Sequence, residues 1–205
     1  MPLVRNPTPT MAEPSTLNER TPAEILATGS DEERWFAARS AAETPEGLSL
    51  LTHALAVERA PRVREAMFTA LARIATPQSA SAVLPYLRSE DAALRTQALD
   101  ALRAMPTAAA EHLSQLLDDS DPDIRLLSCE IARALPTGSA SRVLGALIEK
   151  ETNSNVCSAA IEVLAETGDV ASLPILARCA ARFPNDPFLA FAVKTASGRI
   201  RSSER

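Results

Sequence analysis

One pattern of residues recurs about every thirty residues along this chain, and it constrains the fold more than any other feature. Five segments align without strain, and a sixth fits more loosely. A helical unit of this length cannot bury its apolar face alone, so neighbouring units must stack and share one core. The period therefore predicts an all-α solenoid of about six helical hairpins. The aligned anchor positions are Glu33, Val63, Leu94, Ile124, Val156 and Leu189.

Each unit predicts two helices joined by a tight turn. After each anchor, apolar residues follow at the spacing of a 3.6-residue period, which indicates a helix and not a strand. Capping residues mark the helix starts: Thr21 and Ser30 open capping boxes. Thr44, Thr76 and Asp121 each precede a proline. Proline is tolerated at the first position of a helix, so each of the three is a candidate N-cap residue. These signals predict where the hairpins begin.

Prolines indicate where the repeat domain begins and where two of its helices are interrupted. The proline-rich residues 1–20 predict a disordered tail, residues 21–200 the repeat domain and residues 201–205 a C-terminal tail. Pro85 and Pro174 fall inside predicted first helices, which we expect them to kink or shorten.

Composition limits the class of partner. The formal net charge is −5 and the pI about 5.2, whereas nucleic-acid binders usually carry a basic footprint. Three scattered cysteines fit a reducing cytoplasm better than a disulfide framework. No apolar run approaches the ~20 residues that a membrane span requires. We therefore expect a cytoplasmic protein with no membrane partner, and the acidic balance argues against nucleic-acid binding. The excess of Arg over Lys suggests a bacterial protein.

The segments PRVREAMFTALARI at Pro61, PDIRLLSCEIARAL at Pro122 and DVASLPILARCA at Asp169 resemble the HEAT repeat in its bacterial, phycobilisome-lyase-type form. The resemblance covers roughly residues 22–200 and implies a right-handed α-solenoid. It also implies an arginine row that ties neighbouring repeats through acids about five residues before each anchor. An alternative is that these arginines bind a ligand through its carboxylate or phosphate group. The arginine row is Arg34, Arg64, Arg95 and Arg125, and the acids are Glu58, Glu90, Asp119 and Glu151.

The chain shows no catalytic constellation. His53 and His112 occupy different offsets from their anchors and form no metal-binding motif. Cys129, Cys157 and Cys179 lack the close spacing of structural zinc ligands. We expect no catalytic residue, metal or cofactor.

The strongest candidate site is the face of the second helices that turns away from the core, which lines the concave side of HEAT-like arrays. Stacking aligns equivalent positions of successive second helices into one row. This concave strip combines apolar side chains with an acidic middle, although each acid, taken alone, fits a solvated face with i,i+3 ion pairs. The single Trp either caps the open end of the first repeat or contacts a partner. The concave strip is Trp35, Glu65, Asp100, Leu126, Glu130 and Glu162.

These observations predict a non-enzymatic adaptor that binds a protein or peptide with a basic or amphipathic surface. A first alternative is an accessory subunit of an enzyme, or a chromophore-lyase-like protein that depends on its cysteines or histidines. A second alternative is nucleic-acid binding.

Overall fold

Residues 20–203 are described by a computed structural model, in which six helical hairpins stack in one array. The first helices are α1 (Pro22–Thr28), α3 (Gly47–Val57), α5 (Pro77–Val83), α7 (Pro106–Leu117), α9 (Thr137–Lys150) and α11 (Leu173–Arg182). The second helices are α2 (Asp31–Ala41), α4 (Pro61–Ile74), α6 (Ala92–Ala104), α8 (Pro122–Ala132), α10 (Ser154–Thr167) and α12 (Pro187–Ser203). No strand occurs in this range, and the predicted all-α solenoid is confirmed.

The two predicted tails overlap the described residues by only a few positions. The N-terminal tail lies outside them except for Arg20, which hydrogen-bonds to Glu33 and Thr28. At the other end, α12 continues to Ser203, three residues beyond the predicted limit of the repeat domain. Ile200 is buried, and no proline or glycine follows it to end the helix.

Four of the six anchors lie in the buried seam of the second helices. Val63, Ile124, Val156 and Leu189 are at most 2% exposed, so the 3.6-residue period did mark the core face, and Leu94 is half-buried. Glu33 is exposed, and its carboxylate accepts a hydrogen bond from the Ser30 backbone N–H instead. The shared core still reaches the first hairpin, through Leu26, Ala38 and Ala41.

The capping signals located most helix starts, with one error. Thr21 and Ser30 form the predicted capping boxes, and Thr76 caps α5. Thr44 does not cap a helix: its hydroxyl donates to the Ala41 carbonyl, and α3 begins only at Gly47. The chain turns so tightly there that a Cβ on Gly47 would lie 1.8 Å from the Ala41 carbonyl oxygen. The turn geometry, and not the cap, sets this start.

The two prolines act differently. At Pro85 the α-helix has ended with Val83, and a 3₁₀ stretch, Leu84–Arg88, completes the first helix of the third hairpin. Pro174 was predicted to lie inside a helix, and that prediction is wrong. It lies in the first turn of α11, where its missing N–H removes no helical hydrogen bond. A short 3₁₀ segment, Val170–Ser172, precedes it.

Neighbouring second helices pack on one another along the whole array, with the most extensive contacts between α2 and α4 and between α10 and α12. The corresponding first helices at the two ends are in less extensive contact. In a curved stack the inner row is the closer one, so the second helices form the concave side.

Candidate functional site: the face of the second helices

Five residues of the concave strip line two open grooves. Glu65 and Asp100 line an N-terminal groove between α4 and α6, with a volume of about 540 Å³. Leu126, Glu130 and Glu162 line a C-terminal groove between α8, α10 and α12, with a volume of about 640 Å³. Positions chosen from the repeat period alone therefore share one face, as helical geometry requires.

Arginines partly neutralise the acids of the strip. Arg103 lies 3.7 Å from Asp100. Arg133 contacts Glu130 at 3.1 Å, Glu162 at 3.8 Å and Glu166 at 2.6 Å. The hydrogen bonds that the Arg133 guanidinium donates to Glu130, and then to Glu166, raise its pKa further above the ordinary value. Three carboxylates surround one guanidinium, so Arg133 neutralises them only in part. Of these carboxylates, Glu130 and Glu162 line the C-terminal groove, together with the exposed Arg199.

The C-terminal groove also presents two exposed aromatic rings. Phe188 is 84% exposed and Phe191 is 70% exposed, one helical turn apart on α12. Phe191 occupies the same offset from its anchor as the strip residues Trp35, Glu65 and Leu126. Solvent exposure of large apolar side chains that converge on one groove is typical of an interaction surface.

Trp35 lies outside both grooves, at the N-terminal end of the strip. Its half-buried ring packs against the core and makes an edge contact with Phe36. The guanidinium carbons of Arg39 and Arg62 lie 4.6 Å and 4.8 Å from its ring centroid. The ring therefore joins α2 to α4 through two cation–π contacts.

The arginine row makes complete ion pairs at two repeat junctions. Arg34 Nε donates to Glu58 Oε2 at 2.7 Å, and Arg125 Nε donates to Glu151 Oε2 at the same distance. In each pair a second guanidinium nitrogen donates to the other carboxylate oxygen. Burial alone would raise the pKa of Glu58, but the hydrogen bonds from Arg34 and from two backbone N–H groups outweigh it and lower that pKa. The same balance lowers the pKa of Glu151.

The row is weaker between these junctions. Arg64 lies 3.6 Å from Asp91, and not from the expected Glu90, and its buried Nε has no hydrogen-bond partner within the described range. Arg95 donates to the Ser89 carbonyl at 2.6 Å, and no carboxylate of residues 20–203 lies within ion-pairing distance of it. Ser89 stands where the other repeats place an acid five residues before the anchor, which leaves Arg64 without its bidentate partner.

The histidines and cysteines do not converge. His53 Nδ1 lies 2.7 Å from the Ser49 carbonyl oxygen, and His112 Nε2 lies 3.1 Å from the Ser81 hydroxyl. Cys129, Cys157 and Cys179 are fully buried and line neither groove. Across residues 20–203, no group of three His, Cys, Asp or Glu side chains is placed to hold a metal ion.

Sequence reasoning missed Arg62 and Phe188. Both occupy the position directly before an anchor, three residues before the strip residues Glu65 and Phe191 of the same helices. Residues three apart on a helix share a face, so this spacing was the signal that could have identified them.

Stacked hairpins with one grooved face define a protein of the α-solenoid class. A family model described as HEAT repeats matches residues 110–195. The match confirms the predicted resemblance to HEAT repeats over those residues. The resemblance to the phycobilisome-lyase-type form of the repeat is based on the sequence motifs described above.

Solved structures similar to this chain are helical. One is an engineered protein, 18% identical, with 88% of this chain and 95% of that chain covered and a TM-score of 0.43. Another is the complex of CpcE and CpcF of phycocyanin lyase from Nostoc sp. PCC7120, with 19% identity, coverage of 91% and 79% and a TM-score of 0.45. A designed armadillo repeat protein is 16% identical, with coverage of 87% and 98% and a TM-score of 0.39. A search of curated proteins gave no match.

No helix among the described residues combines the length and apolar character needed to cross a membrane.

Proposed function

We propose that this protein is a non-enzymatic adaptor that binds a protein or peptide along the concave face of its second helices. The observation that carries the proposal is the convergence of five strip residues on two open grooves of one face. A partner that spans several repeats meets a continuous row of side chains there.

The C-terminal groove indicates the chemistry of the partner. Phe188, Phe191 and Leu126 supply apolar surface, and Glu130 and Glu162 supply negative charge beside it. An amphipathic segment with basic side chains complements both features, and its association would be slowed by salt.

The groups that a chromophore-lyase-like activity would use are engaged elsewhere. The three thiols are buried in the core, and both histidines hydrogen-bond to their surroundings. No cysteine or histidine lines either groove.

Quantitative capture from a native lysate tests the proposal. The test variant is Asp100→Lys with Glu162→Lys, because both acids are exposed and neither is the principal partner of Arg133. The matched control is Glu46→Lys with Glu111→Lys, which makes the same change in net charge at exposed positions of the first-helix side.

We expect the wild type and the control to capture the same proteins, and the concave variant to capture at least about tenfold less of them. Circular dichroism should show the same helix content in all three. Equal capture by the concave variant, or loss of capture only in the control, would assign binding to another face.

A further inference from the structure

The N-terminal end of the concave face carries two arginines beside the single Trp. Arg39 and Arg62 are exposed, and both contact the ring of Trp35. Among residues 20–203, neither guanidinium has a carboxylate within ion-pairing distance. Arg103 and Arg133, on the same face, are each paired with acids, whereas Arg199 in the C-terminal groove has no ion pair among these residues. The first two repeats therefore present two guanidinium groups that are not ion-paired and that contact one aromatic ring.

We propose that Arg39, Trp35 and Arg62 bind a carboxylate side chain of the partner polypeptide. The inference rests on the proposed function and adds a direction to it: the acidic end of the bound segment lies on the first two repeats, and its basic, apolar end lies in the C-terminal groove.

The two cation–π contacts prepare the guanidinium groups for this role. The N–H groups of a guanidinium match a carboxylate in a bidentate geometry. Contact with Trp35 also restricts the two side chains before binding, so less conformational freedom is lost when a ligand arrives. The geometry thus combines positive charge with preorganisation.

The surroundings favour an isolated carboxylate over a nucleic-acid backbone. Glu65 lies one turn beyond Arg62 on α4, and Asp100 lies across the N-terminal groove from Glu65. A polyanion continuing along the face would meet both acids. A polypeptide that carries an acidic residue at one end only would place no negative charge beside these two acids.

The single Trp provides the readout. The probe is an acetylated and amidated Glu-Gly-Gly-Gly peptide, which carries one carboxylate, titrated into the whole protein while Trp35 fluorescence is followed. The matching Lys-Gly-Gly-Gly peptide and a single-stranded DNA oligonucleotide are titrated in parallel. The test variant is Arg39→Gln with Arg62→Gln. The control is Arg142→Gln with Arg201→Gln, which removes two exposed arginines that lie outside the Trp35 contact.

We expect the glutamate peptide to change the fluorescence in a saturable way in the wild type and the control, with at least about tenfold weaker binding in the test variant. The lysine peptide should produce no such change. No response to the glutamate peptide, or equal affinity in the test variant, would overturn the proposal. Tighter binding of DNA that is lost in the same variant would also overturn it. Because no native partner is used, a negative result here leaves the lysate capture result intact.

Discussion

At the scale of single residues, Glu58 and Glu151 each serve two structural purposes. Their side chains are only 4% and 3% exposed, and each pairs with an arginine of the preceding repeat. Each also accepts hydrogen bonds from the backbone N–H groups of the next two residues, which fixes the turn between the two helices of its hairpin. A buried carboxylate is tolerated because all these donors surround it.

These two carboxyl groups make stability depend on pH. Their folded pKa values lie below an unfolded value of about 4.3, so their stabilisation is complete above that value and is lost as the pH falls through the folded pKa. We expect the melting temperature to fall as the pH drops from about 5 to about 3, and less steeply in a Glu58→Gln, Glu151→Gln variant.

That variant should also lose about 2 kcal/mol per site at pH 7, since a charged hydrogen-bond acceptor is removed from a buried guanidinium. Circular dichroism melts between pH 3 and pH 7 check both effects, with Glu111→Gln as the exposed control. Equal slopes in the wild type and the double variant would assign the acid sensitivity to other groups.

At the scale of elements, the sequence predicted what depends on local pattern and missed what depends on close approach. The period located the buried faces through Val63 and Ile124, and the cap at Thr76 was correct. Thr44 failed, although its local signal was the same, because the path of the chain into α3 is set by contact with the end of α2. Arg62 escaped notice because its role comes from Trp35, a residue of the preceding repeat.

Two glycines test this distinction. In Gly47→Ala, the new Cβ would lie 1.8 Å from a backbone oxygen, so the turn must shift and stability should fall by more than about 1 kcal/mol. Gly138, in α9, has no atom within 4 Å of the equivalent Cβ position. Gly138→Ala should therefore raise stability by about 0.5–1 kcal/mol through helix propensity. Urea denaturation of both variants measures the difference, and a stabilising Gly47→Ala would refute the close-approach argument.

At the scale of the whole molecule, the hairpins contact only their neighbours, so the ends of the array can open without the middle. Three buried thiols can report such opening: Cys129 on α8, Cys157 on α10 and Cys179 on α11. Their reactivities differ. Burial raises the pKa of the Cys129 thiol to about 12, whereas a hydrogen bond from the Cys157 thiol lowers the pKa of Cys179. The labelling rate of each thiol must therefore be compared between a variant and the wild type, and not with the rate of another thiol.

Leu189 on α12 and Leu102 on α6 are both fully buried, and truncation of either to Ala should cost about 2–5 kcal/mol. Leu189→Ala weakens only the last hairpin. It should accelerate iodoacetamide labelling of Cys179 most, that of Cys157 less, because α10 packs on α12, and that of Cys129 hardly at all. Leu102→Ala weakens the middle of the array and should reverse this order, with Cys129 accelerated most. Mass spectrometry of each cysteine-containing peptide gives the three rates. Equal acceleration of all three thiols by Leu189→Ala would mean that the solenoid opens as one cooperative unit.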